Sequence, residues 1–324
     1  MPNLLRAVLL LLGLALLAPV ARAGEEPDAA KKKLTVMLDW FVNPDHAALI
    51  VAQEKGYFAA QDLAVELQTP ADPNDPPKLV AAGKVDIAVS YQPQLTIHVN
   101  AGLPIKRIGT LVATPLNSLV ALKDGPVKTL ADLKGRKIGY SVGGFEEALL
   151  KAMLAKAGLK TEDVTLVNVN FSLSPALLSK QVDAVIGAFR NFELNQLDLA
   201  KKPGRAFYPE EEGVPPYDEL VLVANRDRLN DPRLRRFLTA LEQATQYILN
   251  HPDDAWKGFV AQHKDLDDEL NRRAWRDTLP RLARRPAALD EAGYKRFAQF
   301  LAKQGVITVA LPVSNYAVQL PSPD

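Results

Sequence analysis

The sequence of 324 residues contains no cysteine, which excludes disulfide bonds, thiolate metal sites and a cysteine nucleophile. It also excludes a lipid-bearing cysteine as a membrane anchor. A dominant charge is lacking too, because 39 basic and 38 acidic residues give a formal net charge of +1. This balance favours neither a nucleic acid nor an anionic membrane as a partner. His98, His251 and His263 are scattered without the spacing of metal ligands, so no metal site is predicted.

Long apolar runs are confined to the N-terminus, where the sequence is typical of a secretory signal peptide. Arg6, the apolar residues 7–20 and Ala21-Arg22-Ala23 match its charged, hydrophobic and cleavage regions. We predict cleavage after Ala23, which makes residues 1–23 a signal peptide and the mature protein periplasmic, in a Gram-negative bacterium, without a lipid anchor. A transmembrane anchor is the weaker alternative, because about 14 apolar residues fall short of the ~20 that span a bilayer. Cleavage removes two arginines and no acid, which changes the formal net charge to −1.

Alternating strands and helices predict an α/β protein with two doubly wound lobes. About 300 mature residues suffice for two domains of ordinary size. We predict lobe 1 at residues 24–114 plus 226–324 and lobe 2 at residues 115–225. Two crossings between the lobes, near residues 115 and 225, would leave a ligand cleft between them.

Hydrophobic periodicity places the individual elements. Strands are predicted at residues 34–38, 63–67, 85–90, 119–122, 137–140, 164–169, 182–189 and 220–225. Helices are predicted at residues 47–55, 78–82, 146–157, 174–180, 232–250, 253–263, 267–279 and 290–304. The last four helices follow the final strand, so we expect them to pack back on lobe 1.

A polar and aromatic stretch follows the first predicted strand and contains Asp39, Trp40, Asn43 and His46. In open α/β sheets, ligands bind beyond the carboxyl ends of the strands. Asp39 can accept hydrogen bonds from an exocyclic amine, Trp40 can stack on an aromatic ring, and Asn43 and His46 can add polar contacts. The structural alternative is a core tryptophan beside an ordinary capped turn. As a set, the four residues predict a site for a flat, nitrogen-rich small molecule.

Two further residues follow the buried strands at residues 85–90 and 182–189 and should face the same cleft. Tyr91 would form a wall of the pocket. Phe189, at the end of the second of these strands, is a further candidate ligand-binding residue. Glu193, just beyond it, can pair with a ring nitrogen and an amino group of an aminopyrimidine, or share a proton with the ring. The alternative for Glu193 is a solvated residue at the start of a helix.

A loop with the sequence Ser141-Val142-Gly143-Gly144 precedes a predicted helix. Such a loop can offer backbone N–H groups to an anion or let a ligand approach the backbone closely, so Gly143 and Gly144 are candidate ligand-binding residues. No Lys-Ser or Lys-Thr follows to indicate a nucleotide-binding P-loop. Glu146 and Glu147 are interpreted as acidic residues that stabilise the helix N-terminus.

Enzymatic chemistry is not predicted. No nucleophile-elbow motif surrounds a serine, and no paired-glycine dinucleotide fingerprint follows a strand. We therefore expect no catalytic residues and no cofactor.

The sequence resembles the periplasmic substrate-binding proteins of ABC transporters, in the branch that recognises pyrimidine precursors of thiamine. The resemblance extends over nearly the whole mature chain. It rests on Leu38-Asp39-Trp40 with Asn43 and His46, Ala52-Gln53-Glu54-Lys55-Gly56-Tyr57-Phe58, Asp86-Ile87-Ala88-Val89-Ser90-Tyr91, Leu130-Ala131-Asp132-Leu133-Lys134-Gly135, and Val185-Ile186-Gly187-Ala188-Phe189 with Glu193.

The resemblance implies a type II periplasmic binding protein fold that closes on its ligand, with aromatic rings around the pyrimidine and carboxylates on its amino groups. It implies capture of hydroxymethylpyrimidine or its formylaminomethyl analogue and delivery to an ABC permease in the inner membrane, by a monomer that binds no nucleic acid. Riboflavin, a sulfonate or nitrate is the alternative ligand, although the two anions would need a cationic or amide-lined pocket. A pyrimidine synthase is a further alternative, but the related eukaryotic branch carries a cysteine-rich motif that this chain lacks.

Overall fold

The computed structural model describes residues 32–321, which form two five-stranded mixed sheets. The predicted signal peptide at residues 1–23 lies outside the described residues. No helix in residues 32–321 is both long and apolar enough to cross a membrane.

The first sheet has the strand order β2-β1-β3-β10-β4. Its strands are β1 (Lys33–Met37), β2 (Ala64–Gln68), β3 (Ile87–Ser90), β4 (Ile105–Val112) and β10 (Leu220–Asn225). Strand β1 runs parallel to β2 and β3, whereas β10 is antiparallel to β3 and β4. Every residue of β3 is buried, as expected of a strand that is covered on both faces.

The second sheet repeats this arrangement with the order β7-β6-β8-β5-β9. Its strands are β5 (Asn117–Leu122), β6 (Lys137–Tyr140), β7 (Thr165–Asn168), β8 (Ala184–Phe189) and β9 (Gly204–Phe207). Strand β6 is parallel to β7 and β8, and β5 is antiparallel to β8 and β9. The two sheets therefore match strand for strand, with β6 in the place of β1 and β8 in the place of β3.

Strand β10 corrects one detail of the predicted organisation. It was expected in the second lobe, but it hydrogen-bonds to β3 and β4 in the first sheet. The chain therefore returns to the first sheet between β9 and β10 rather than near residue 225. Strands β4 and β9 are additions to the prediction, because Lys106, Arg107 and Gly204 interrupt their apolar patterns.

Helices cover the sheets and fill the C-terminal part of the chain. They are α1 (Ala47–Glu54), α2 (Tyr57–Ala60), α3 (Pro76–Ala81), α4 (Gln92–Asn100), α5 (Phe145–Lys156), α6 (Leu173–Leu178), α7 (Glu193–Leu199), α8 (Pro232–Asn250), α9 (Pro252–Gln262), α10 (Glu269–Thr278) and α11 (Glu291–Lys303). Short 3-10 turns include Pro44–His46 and Leu130–Leu133.

The long helix α8 packs on α1 and α2, so this part of the C-terminal segment lies against the first sheet as expected. Its apolar face buries Leu234, Phe237 and Leu241. Helix α10 behaves differently, because it contacts both the Pro44–His46 turn and helix α7 of the second lobe. The C-terminal helices therefore pack on both sides of the cleft.

Candidate ligand-binding site

A cavity lies where the carboxyl ends of the two sheets face each other. Its volume is about 30 Å³, which is room for water molecules rather than for a small organic ligand in this arrangement of the lobes. Its lining consists of four carboxyl side chains (Asp39, Asp45, Glu146, Glu193), four aromatic side chains (Trp40, Tyr91, Phe189, Phe192), and Asn43, Ser141, Leu173 and Gly187. Neither lysine nor arginine is among these lining residues.

Equivalent strand ends in the two sheets supply most of this lining. Asp39 follows β1, and Ser141 follows β6 at the matching place in the second sheet. Tyr91 follows β3, and Phe189 with Glu193 stands at the end of β8. The sheet edges thus bring together side chains that are far apart in sequence, as is general for open α/β sheets.

Asp39 is held by two side chains in the first lobe. His46 Nε2 lies 2.9 Å from Asp39 Oδ1, and the Tyr91 hydroxyl donates to Asp39 Oδ2 over 2.8 Å. His46 is fully buried and does not line the cavity, so it acts as a support behind Asp39. Burial, reinforced by Asp39, raises the pKa of Tyr91 well above its usual value and keeps its hydroxyl a donor.

The local sequence fixes the orientation of His46. Asn43 caps the 3-10 turn Pro44–His46, where its side chain accepts from Asp45 N–H over 2.8 Å. The backbone N–H of Asn43 in turn donates to His46 Nδ1 over 3.3 Å. Because Nδ1 accepts, the ring proton is assigned to Nε2, which donates to Asp39. The capped turn therefore sets the direction of the carboxyl group in the pocket.

Aromatic rings from both lobes meet at the cavity. The ring centroids of Trp40 and Phe171 are 4.6 Å apart with planes at 71°. Tyr91 stacks on Phe145 at 4.7 Å and 24°, and meets Phe189 edge-on at 6.4 Å. Trp40 comes from the first lobe and Phe171 from the second, so the two lobes touch through apolar rings beside the lining.

Glu193 is the carboxyl group at the start of helix α7. Its Oε2 accepts from the backbone N–H of Phe189 over 2.7 Å, and its own backbone N–H also bonds the carboxyl group. Burial raises the pKa of Glu193 to about 7, with a smaller contribution from Asp45. The group is therefore poised to exchange a proton near neutral pH.

Glu146 lies in the first turn of helix α5, as expected from the sequence, and it also lines the cavity, which was not expected. The residue is only 3% exposed, and its Oε2 accepts from Ser141 N–H over 2.8 Å. Burial raises its pKa well above the ordinary value, against the effect of hydrogen bonds from the backbone of Ser141 and Val142. A Cβ on Gly187, where φ is +99°, would lie 2.4 Å from Glu146 Oε1, so only glycine permits this approach.

Asp45 connects three parts of the chain at one end of the cavity. Its Oδ1 accepts from Asn191 Nδ2 over 2.6 Å and from the hydroxyl of Thr278 over 2.9 Å. Burial raises its pKa to about 6. Asn191 follows β8 and Thr278 ends α10, so this carboxyl group joins the second lobe to the first lobe and to the C-terminal helices.

The structure brings six of the nine candidate residues to the lining, namely Asp39, Trp40, Asn43, Tyr91, Phe189 and Glu193. His46 lies behind Asp39. Gly143 and Gly144 are not among the lining residues, and their N–H groups donate to Asn74 Oδ1 and Glu147 Oε2. Lining residues that the sequence reasoning missed are Asp45, Ser141, Glu146, Leu173, Gly187 and Phe192. Gly187 carried a usable signal, because a glycine inside an apolar strand marks a close approach.

Residues 32–321 contain no group of three or more His, Asp or Glu side chains arranged to hold a metal ion.

Comparison with known sequences shows a family and several relatives. The family model described as NMT1/THI5 like matches residues 43–255. A Haemophilus influenzae protein named for thiamine biosynthesis is 58% identical over 295 residues, which cover 91% of this chain and 94% of that protein. A formylaminopyrimidine-binding protein of Halalkalibacterium halodurans is 34% identical over 77% of this chain and 76% of its own length. A Saccharomyces cerevisiae 4-amino-5-hydroxymethyl-2-methylpyrimidine phosphate synthase is 28% identical, with 74% of each chain covered.

Solved structures confirm the predicted fold. The alkanesulfonate-binding protein of Xanthomonas axonopodis bound to MOPS superposes with a TM-score of 0.72 over 89% of this chain and 99% of that chain, at 17% identity. A Candida albicans protein with the generic periplasmic binding protein fold superposes with a TM-score of 0.70 over 90% of this chain and 97% of its own, at 18% identity. The α/β architecture is therefore that of the periplasmic binding proteins.

Proposed function

Because the chain belongs to the NMT1/THI5-like family, we propose that it is the solute-binding component of an ABC transporter and captures a thiamine pyrimidine precursor in the periplasm. The ligand is hydroxymethylpyrimidine or its formylaminomethyl analogue. One observation supports this choice of ligand most directly: the cavity is lined by four carboxyl groups and four aromatic rings, without lysine or arginine. A flat ring that bears amino groups complements such a lining.

Each side of the cavity has a role in this proposal. Asp39, fixed by His46 and Tyr91, accepts from the exocyclic amine of the pyrimidine. Glu193 has one oxygen occupied by Phe189 N–H and uses the other toward a ring nitrogen. A hydrogen bond to a charged group contributes about 1.5–3 kcal/mol. Trp40 and Phe189 bury the ring, and desolvation of its faces supplies the rest of the affinity.

Closure of the two lobes explains how the ligand is retained. The contacts of Trp40 with Phe171 and of Asp45 with Asn191 cross the cleft beside the lining. A pyrimidine that touches both Asp39 and Glu193 stabilises this closed arrangement, because it makes the second contact only when the lobes meet. The closed monomer then delivers the pyrimidine to a permease in the inner membrane.

Sulfonate and nitrate are less suited to the cavity, although a structural neighbour is an alkanesulfonate-binding protein. An anion in the cavity would meet like charge on the lining carboxyl groups that are ionised, without a lining cation to offset it. The fold similarity at 17% identity does not extend to the ligand.

Calorimetry of ligand-free protein against hydroxymethylpyrimidine, formylaminopyrimidine, thiamine, riboflavin and taurine tests the proposal. We expect one-to-one binding of at least one of the two precursors, and no binding of taurine. Binding of taurine or riboflavin alone would overturn the pyrimidine assignment.

A second measurement separates binding of the pyrimidine from its chemical conversion. The saturated protein is incubated with the pyrimidine, and the ligand is recovered and analysed by mass spectrometry. We expect unchanged ligand at full recovery. Chemical conversion beyond one equivalent would make the protein an enzyme.

A further inference from the structure

The loop at residues 141–144 has the form of an anion-binding loop. It follows strand β6, precedes helix α5 and contains two adjacent glycines. Successive backbone N–H groups at such a place commonly hold a phosphate or sulfate. An external anion can use them only if they have no acceptor in the protein.

All four N–H groups of this loop already have an acceptor. Ser141 N–H donates to Glu146 Oε2 over 2.8 Å, and Val142 N–H bonds the same carboxyl group. Gly143 N–H donates to Asn74 Oδ1 over 2.9 Å, and Gly144 N–H donates to Glu147 Oε2 over 3.0 Å. The side chains of the protein therefore satisfy every donor that a phosphate would need.

The carboxyl group of Glu146 covers the side of the loop that faces the cavity. Its carboxyl group lines the cavity, is almost fully buried and rests against Gly187. Oε2 accepts from the backbone whether or not Oε1 carries a proton, so the donors are occupied in both protonation states. Glu147 takes the last donor of the loop and is not among the lining residues.

We propose that Glu146 is a specificity-determining residue that fills the anion-binding loop and thereby restricts the cavity to unphosphorylated pyrimidines. The inference rests on the proposed function, because it concerns a substituent of the proposed ligand. A phosphate ester would have to displace Glu146 from Ser141 and Val142, and it would find no lysine or arginine among the lining residues. Desolvation of the phosphate would then remain uncompensated.

The test compares hydroxymethylpyrimidine with its phosphate ester by calorimetry at pH 7.5. For the wild-type protein, we expect the phosphate ester to bind at least 100-fold more weakly. Glu146→Ala frees two backbone donors, so the ratio of the two dissociation constants should narrow at least tenfold. Glu146→Gln retains an acceptor oxygen and should keep the ratio within threefold of wild type.

Glu162→Ala is the matched control, because it removes an exposed glutamate of the same lobe that does not line the cavity. Its ratio should equal that of wild type. A wild-type ratio below threefold would overturn this inference but not the proposed function. An unchanged ratio in a Glu146→Ala variant that still binds hydroxymethylpyrimidine would do the same. Failure of wild type to bind either compound would refute the proposed function and with it this inference. If Glu146→Ala does not fold, the inference is judged from the ratio of the two dissociation constants in wild type and in Glu146→Gln.

Discussion

The two faces of the cavity hold their carboxyl groups in different ways. On the first-lobe face, both oxygens of Asp39 accept from side chains, His46 on one and Tyr91 on the other. On the second-lobe face, Glu193 and Glu146 are held by backbone N–H groups, and burial raises the pKa of each. Side chains thus orient Asp39 on the first face, whereas the second face contains Glu193, whose pKa is raised to about 7, and Glu146, the proposed specificity-determining residue.

The first face should be the less tolerant of substitution, and Asp39→Asn tests this most directly. Both oxygens of Asp39 face donors, so an amide NH₂ must point at either His46 Nε2 or the Tyr91 hydroxyl and leave one donor unpaired. We expect at least 100-fold weaker binding of the pyrimidine in calorimetry, with an unchanged circular dichroism spectrum. Asp265→Asn, at an exposed position, is the control and should bind like wild type. If Asp39→Asn weakens pyrimidine binding less than threefold, the first face does not contribute to the binding site.

The second face should make affinity depend on pH. The pKa of Glu193 is about 7 without ligand. If one proton is shared between Glu193 and a ring nitrogen, binding of a neutral pyrimidine above pH 7 takes up that proton, so the affinity falls by up to about tenfold per pH unit. Calorimetry in buffers of different ionisation enthalpy measures this uptake directly.

Glu193→Gln should bind about tenfold more weakly at pH 6 and lose the pH dependence, because its amide cannot exchange a proton in this range. The difference between the two proteins should therefore shrink as the pH rises. A wild-type affinity that is constant from pH 6 to pH 9 would contradict the contrast between the two faces.

Buried carboxyl groups predict how stability changes with pH. Burial raises the pKa of Asp45 to about 6 and that of Glu193 to about 7, from 3.8 for Asp and 4.5 for Glu. It also raises to about 7 the pKa of Glu219, a buried residue outside the cavity that accepts from the backbone N–H groups of Leu116 and Asn117. The folded state therefore binds protons more tightly than the unfolded chain, and stability falls as the pH rises from about 4.5 through 7. Each unit of pKa difference corresponds to about 1.4 kcal/mol.

We expect the ligand-free protein to melt several degrees higher at pH 5.5 than at pH 8, by differential scanning calorimetry. Glu193→Gln should reduce this difference, because one of the shifted groups is gone. A melting temperature that rises with pH over this range would show that these groups do not dominate the pH dependence of stability.

The sequence predicts much of the first face and less of the second, for physical reasons. The apolar strands β1, β3 and β8 are visible from their residues, and polar residues beyond their ends lie at the ligand edge of an α/β sheet. This reasoning finds Asp39, Tyr91 and Glu193. Glu146 and Asp45 are missed because their burial depends on contacts with Gly187 or Asn191, which are remote in sequence.

Prediction of the fold is limited in the same way: local patterns identify strands, but they do not show which distant strands pair. Strand β10 has a clear apolar pattern, but its place between β3 and β4 depends on pairing with strands that are more than 100 residues away. Strand β4 contains Arg107, which is fully buried because its guanidinium donates to Thr110 and to the carbonyl oxygens of Pro286 and Ala287. No local pattern predicts such a buried arginine.

The smallest expected effect concerns Asn191, which joins the two faces but does not itself line the cavity. Asn191 Nδ2 lies 2.6 Å from Asp45 Oδ1 and 2.7 Å from Thr278 Oγ1, and all three residues are buried. Asn191→Ala removes a contact that exists only when the lobes meet, so it should weaken pyrimidine binding about threefold to fivefold through faster dissociation. Asn195→Ala, which breaks an exposed bond to Asp277 one helical turn further along, is the control and should change the rate less than twofold. Stopped-flow displacement measures both rates, and equal rates in Asn191→Ala and wild type would mean that ligand contacts with the two faces, rather than Asn191, hold the lobes together.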